Sequence, residues 1–239
     1  MAQQRTIKAY ENELTTLRAS VVEMAGRAES QFEAAMKILD SHDNALARDT
    51  VAADKIIDAM EVDIEKQVVE MLALRSPVAD DLREIISALK MSSLIERIAD
   101  YAKNIAKRAS ALSAHTTDGP FPMLREMGRI SAEMLRAATD AYIRRDTEKA
   151  LAVWRRDQDV DRLYDSLVRE LLTYMMENPA EITPYTHHLF IAKNIERIGD
   201  QATNLAEIIF YLATGEILEE SRPKADKSSY LTSPAGAAR

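Results

Sequence analysis

Two stretches one hundred residues apart are spelled almost alike: ERIADYAKNIA from Glu96 and ERIGDQATNLA from Glu196. The correspondence sets Glu96 on Glu196, Arg97 on Arg197, Asp100 on Asp200 and Asn104 on Asn204, so a polar pattern is copied along with an apolar one. Self-similarity at this separation in a chain of 239 residues predicts two tandem units of one build, and it confines the fold to architectures that can be made twice.

The units are helical. Only six Gly and seven Pro interrupt a chain rich in Ala, Leu, Glu, Arg and Met, and strand-favouring aromatics are scarce. Apolar residues recur at three- and four-residue spacing almost throughout, which predicts six long helices. They run from about Thr6 to Leu39, Asn44 to Leu74, Pro77 to Leu112, Met123 to Arg145, Thr147 to Met176 and Pro184 to Thr214. Asp40-Ser41-His42-Asp43 reads as a stop followed by a cap. Ser76-Pro77 reads as an N-cap with proline in the first helical position, and Gly215 as the final C-cap. Short connections make neighbouring helices antiparallel. The expected fold is all-α, two tandem, duplicated antiparallel three-helix bundles: residues 1–115, then 116–215, then a disordered polar tail, 216–239. The segment SAHTTDGPFP, Ser113 to Pro122, is the expected boundary and preferred protease site, and each half is expected to bury its own core.

A net charge of -8 and the lack of a concentrated basic surface argue against nucleic acid as a partner. The N-terminus has no apolar h-region, and no apolar run approaches the roughly 20 residues that span a bilayer. A soluble, cytoplasmic protein is expected, without membrane insertion. The absence of Cys closes zinc-finger and thiol-nucleophile chemistry and fits a reducing compartment.

Chemistry is concentrated in the acids. On the third helix Glu96 and Asp100, with Asn104, form a stripe opposite Ile98, Ala102 and Ile105; Glu196, Asp200 and Asn204 repeat it opposite Ile195, Ile198 and Leu205. The preceding helix of each half carries Asp54 and Asp58, or Asp157 and Asp161. Ile56, Met60 and Ile64 are expected to mark the core side of the second helix, leaving Asp54, Asp58, Glu61 and Glu65 on a separate stripe. In the second half Val160, Leu163 and Leu167 take that role, with Tyr164 where Glu61 would stand. Neither the Glu96 stripe of the third helix nor the Glu196 stripe of the sixth is expected to be buried in its bundle. Acids four apart on adjacent helices can converge their oxygens, and a hard or borderline cation would relieve their repulsion. A solvated acidic face with ordinary ion pairs to Arg97, Arg197, Lys103 and Lys107 is the plain alternative. Recurrence in register in both halves favours the metal.

Other residues are assigned no chemistry. His42 and His115 fall in linkers, and His187 and His188 read as packing residues. Trp154 is expected to anchor the core, and the Met residues to fill it. No P-loop, G-x-G-x-x-G, G-x-S-x-G or H-E-x-x-H occurs, so no enzyme is expected. A carboxylate-bridged di-metal enzyme and a metal-free helical scaffold remain as alternatives.

The two E-R-I-x-D elements, the helices ahead of them (ADKIIDAMEVDIE and QDVDRLYDSLVREL) and PVADDLREI from Pro77 resemble the PhoU family of bacterial phosphate-uptake regulators, over about residues 5 to 215. Ala99 departs from the usual Gly, and Gln201 from a common His. The resemblance implies multinuclear metal sites, often iron or zinc, with magnesium or manganese also considered. Their ligands would be Asp54, Asp58, Glu96 and Asp100 in one half and Asp157, Asp161, Glu196 and Asp200 in the other, supported by Asn104 and Asn204. It also implies a homodimer that represses the phosphate-starvation (Pho) regulon and limits phosphate uptake. Its partners would be a sensor histidine kinase and the ATPase subunit of the phosphate ABC transporter.

Overall fold

The computed structural model describes residues 2–112 and 121–218, with side chains from Lys8 and, in the second stretch, from Pro122. The expected linker cleavage site, His115 and most of the expected disordered tail lie outside the described residues. Six helices form: α1 (Ala2–Ser41), α2 (Asn44–Arg75), α3 (Ala79–Leu112), α4 (Phe121–Arg144), α5 (Thr147–Glu177) and α6 (Ile182–Thr214), with one 3-10 turn at Pro179–Glu181. Among the described residues there is no strand.

Local chemistry accounts for most boundaries. Asp43 Oδ1 accepts from the Ala45 and Leu46 amides at 2.8 and 3.0 Å, satisfying donors that the first turn of α2 leaves open. Asp146 caps α5 through the Lys149 amide at 2.9 Å. Gly215 ends α6 with φ 80°, a left-handed conformation that a side chain disfavours, and its N–H reaches Tyr211 O at 2.8 Å.

One boundary differs from expectation. Ser76 does not cap α3; it ends α2 in the left-handed conformation, φ 49°, and α3 starts at Ala79. Pro77 cannot extend α2, so the proline serves as a stop. At α6 the helix opens at Ile182, two residues before Pro184, because the third helical residue needs no intrahelical N–H bond.

Within each half every helix packs on the other two, giving the two expected bundles. The central pair, α3 and α6, packs across the halves as closely as helices do within them. These two run antiparallel: Arg108 near the end of α3 lies over the Phe190 ring near the start of α6, 4.1 Å from its centroid, and Arg197 lies 5.6 Å from that of Tyr101. Beside them α1 and α4 also cross antiparallel. Arg136 donates to Glu29 and Glu33, each at 2.6 Å, and Arg125 to Asp40 at 2.7 Å. Gly128 opens this seam, since a Cβ there would collide with the Met36 side chain. Ile95, Ile98, Ile105, Ile195 and Ile198 are fully buried in one apolar cluster that runs through both halves. The expected separate cores are thus continuous across α3 and α6.

Glu84 ties this arrangement at one end. It is 4 % exposed on α3, accepts from Arg18 Nε of α1 at 2.7 Å, and is also paired with Arg145 of the other half, which follows α4 with φ 52°. Trp154 anchors the second half as expected, buried, with Nε1 donating to Glu207 Oε1 at 3.0 Å. His188 is buried against Tyr185, and burial lowers its pKa to about 4, so it packs as a neutral ring.

Candidate metal centres: two acidic grooves

The acids gather where consecutive helices meet, in the α2/α3 groove and the α5/α6 groove. In the first, Lys103 of α3 reaches across, donating to Asp54 Oδ2 of α2 at 2.6 Å while pairing with Asp100 Oδ1 at 2.5 Å. Asn104 Nδ2 lies 3.4 Å from Asp100 Oδ2. Asp58 and Glu96 belong to the same field. Burial raises the Glu96 pKa first, followed by the negative charges of Glu61, Asp100, Asp58 and Asp54. The Asp58 pKa is likewise raised, by desolvation and then by Asp54, with Asp100 adding and Lys103 opposing. Five carboxylates from two helices therefore repel one another across this groove. Glu61 is a member that the sequence placed on the stripe without giving it a role.

The second groove is more enclosed. Asp157, Asp161 and Glu196 are 2, 3 and 5 % exposed, and Asp165 beside them is also buried. Asp157 Oδ1 accepts from Thr203 Oγ1 of α6 at 3.1 Å. Glu196 Oε1 accepts from Lys193 Nζ at 2.8 Å, and that ammonium lies 4.9 Å from the Tyr164 ring centroid. Asp200 and Asn204 are half-buried, with Asn204 Nδ2 at 3.5 Å from Gln201 Oε1.

This corrects the expectation that both stripes lie open opposite the core. Asp54 is also buried, and α2 presents Ile57, Ile64, Val68 and Met71 to the interior while Ile56 is 49 % exposed. The core direction of α2 is rotated toward Asp54 relative to the one expected through Ile56. On α5 the buried arc runs through Val153, Asp157, Val160, Asp161, Tyr164 and Leu171, so its acids sit inside that arc. Helix α6 is enclosed by α3, α4 and α5, leaving a narrow open strip. Asp165, Lys193 and Thr203 were missed because their roles depend on the facing helix. The i, i+3 spacing of Lys193 and Glu196 was a usable signal.

The donors in both grooves are carboxylate oxygens with a nearby amide, chemistry that suits magnesium, manganese or iron. As folded, no group of three or more Asp, Glu or His among the described residues encloses a single point. The cations that answer the repulsion are lysine ammoniums. In the first groove one of them joins carboxylates of both helices, a stand-in for the charge a metal would supply.

Comparison with known proteins agrees with the duplication. A family model described as the PhoU domain matches twice, over residues 21–109 and 124–209. A protein of Zymomonas mobilis named as a phosphate-specific transport system accessory protein PhoU homolog is 46% identical over 90% of this chain and 91% of its own length. Its counterpart in Caulobacter vibrioides is 44% identical over 93% and 97%. The crystal structure of PhoU from Pseudomonas aeruginosa superimposes with a TM-score of 0.85 at 37% identity, covering 87% of this chain and all of that one. The Streptococcus pneumoniae phosphate transport system regulatory protein PhoU gives 0.82 at 28% identity, over 88% of this chain. With the domain matched in both halves and relatives aligned over nine-tenths of the length, the chain belongs to the PhoU family.

Proposed function

We propose that the chain is a non-catalytic regulator of phosphate homeostasis, an adaptor through which a phosphate ABC transporter informs its sensor histidine kinase, acting to repress the Pho regulon and limit uptake. The observation that carries this reading is the end-to-end match to proteins named as accessory to phosphate-specific transport. The surface supports it. An open groove of about 780 Å³ between the start of α3 and the end of α6 is lined by Leu82, Ile86, Lys90, Ile208, Tyr211 and Ile217, with Ile217 76 % exposed. A docking protein needs such apolar relief with charge at its edge. No helix among the described residues is long and apolar enough to cross a membrane, so contact with a membrane transporter would run through its ATPase subunit.

The same reading includes metal. Asp54, Asp58, Glu96 and Asp100 would hold an ion in one groove and Asp157, Asp161, Glu196 and Asp200 in the other, with Asn104 and Asn204 beside them. The bound cation would supply positive charge that draws α2 to α3, and α5 to α6. Two experiments test the proposal. A strain lacking this protein should express a phosphate-starvation reporter in high phosphate; normal repression there refutes the regulator role. Replacing Asp100 and Asp200 together with Ala should abolish stoichiometric metal in protein purified without chelator, and unchanged metal content refutes the ligand assignment.

A further inference from the structure

The antiparallel crossing of α3 and α6 gives this pair two matched ends, and the two are finished differently. Where α3 stops, Arg108 lies over the Phe190 ring, 4.1 Å from its centroid, so a cation and an aromatic close the space between the helices. At the other end the positions that the duplication matches to these hold Ile208 and Lys90, which the same register brings level on the walls of one groove. The cation has changed helix and lost its ring. Lys90 is exposed, and among the described residues neither an acid nor an aromatic ring engages its ammonium. The groove beside it, about 780 Å³, stays open.

From this we infer that the open end receives an acidic amphipathic helix of a partner protein, with Lys90 pairing a carboxylate on that helix's flank. The inference rests on the adaptor reading above and names the chemistry a partner must bring to this groove. Two antiparallel helices leave a straight trough, which a third helix fills with apolar residues at i, i+3, i+4 and i+7. From Leu82 to Lys90 the α3 wall runs for about 12 Å, enough for two turns of such a helix. Its apolar lining is uncovered, with Leu82 39 % and Ile217 76 % exposed. The charges then select the polar flank of the occupant. Asp80 is paired with Arg83, whose guanidinium lies 5.9 Å from the Tyr211 ring centroid, and Glu207 accepts from Trp154 Nε1 at 3.0 Å. Glu207 keeps its negative charge on the α6 side, so an incoming carboxylate is directed to the α3 side, where Lys90 stands unanswered. A basic helix would be repelled there, and a neutral one would leave the ammonium without a partner.

The test is calorimetric binding of the full chain to two purified probes from the same organism, the ATPase subunit of the phosphate transporter and the cytoplasmic part of the sensor kinase. Wild type should bind at least one of them. Lys90→Glu should weaken that binding by about tenfold or more, whereas Lys90→Arg keeps the cation and should hold it within about twofold. Lys107→Glu, at an exposed lysine toward the far end of α3, should also leave it within about twofold. All three variants change exposed side chains and should melt with wild type, which separates lost binding from lost folding. The chain has no Cys, so Leu82→Cys carries a single photo-crosslinker on the groove wall, and in the complex it should mark a partner helix with acids beside an apolar stripe. Binding by Lys90→Glu within about twofold of wild type would overturn the inference and leave the adaptor reading standing. So would a crosslink to a basic or non-helical partner segment, to a second copy of this chain, or to its own residues 219–239. Absence of wild-type binding to both probes at high micromolar concentration would overturn the adaptor reading and the inference with it.

Discussion

Removing Glu84 and removing its partners should differ in cost, because the groups left behind differ in access to water. Glu84 is buried, 6 % exposed in its side chain, whereas the Arg18 and Arg145 side chains are 39 and 45 % exposed. In Glu84→Gln the two guanidinium groups rehydrate where they stand. The loss is then that of partly screened pairs, about 1–2 kcal/mol. In the double variant Arg18→Met and Arg145→Met the aliphatic stems are kept, but the carboxylate stays between α1 and α3 with no cation beside it. Stranding a buried charge costs about 3–5 kcal/mol. For a chain of this size roughly 2–4 °C of Tm follows each kcal/mol, so Glu84→Gln should lower Tm by about 2–8 °C and the double variant by about 6–20 °C. Calorimetry at fixed protein concentration gives the ranking, and circular dichroism beside Trp154 emission tells whether both halves melt together. A Glu84→Gln variant that loses as much stability as the double arginine variant, or a double variant within about 1 kcal/mol of wild type, would refute the reasoning.

Three further outcomes are expected. His188 has its pKa lowered to about 4 by burial, against 6.5 when unfolded, so the unfolded chain binds its proton first; stability is complete above about pH 6.5 and falls toward pH 4 by as much as ~3 kcal/mol. Urea unfolding at pH 7.5 and 4.5 should show that part of the acid sensitivity disappear in His188→Gln, and an unchanged difference between the two pH values would contradict it. Gly199→Ala should stabilise by about 0.5–1 kcal/mol through helix propensity, because the new Cβ meets Val160 and Ser131 at ordinary distances of 3.5 and 3.6 Å; a lower urea midpoint would show hidden crowding. Trp154→Phe should destabilise by about 1–3 kcal/mol, measured by circular dichroism, from the lost bond to Glu207 and the smaller ring, and a neutral result would remove its anchoring role.

The helices, their order and the duplication were legible in the sequence because each rests on local rules. Three- and four-residue periodicity, the Asp43 cap and the Gly215 stop act within a turn or two of the chain, and the repeated E-R-I-x-D element needs no three-dimensional knowledge to align. The acids of both grooves could be named for the same reason, since i, i+4 spacing fixes which side chains share a helix face. Ser76 was misread because serine before proline suits an N-cap and serves equally as a left-handed stop; which role wins depends on where α2 can end against α1, where Arg75 binds Glu13.

Burial of the acids was decided elsewhere. One helix considered alone has an apolar arc and an opposite arc, but α6 has neighbours on three sides and α2 is rotated so that Ile57 takes the inward place expected of Ile56. The joining of two cores into one depends on the packing of α3 on α6, and the clamp of Glu84 by arginines from both halves and the seating of Lys103 and Thr203 on matched aspartates depend on separations of 46 to 66 residues along the chain. Spacing along a helix determines which residues can share a face; only the packing of other helices on that face determines whether water, a lysine or a hydroxyl meets the carboxylates there.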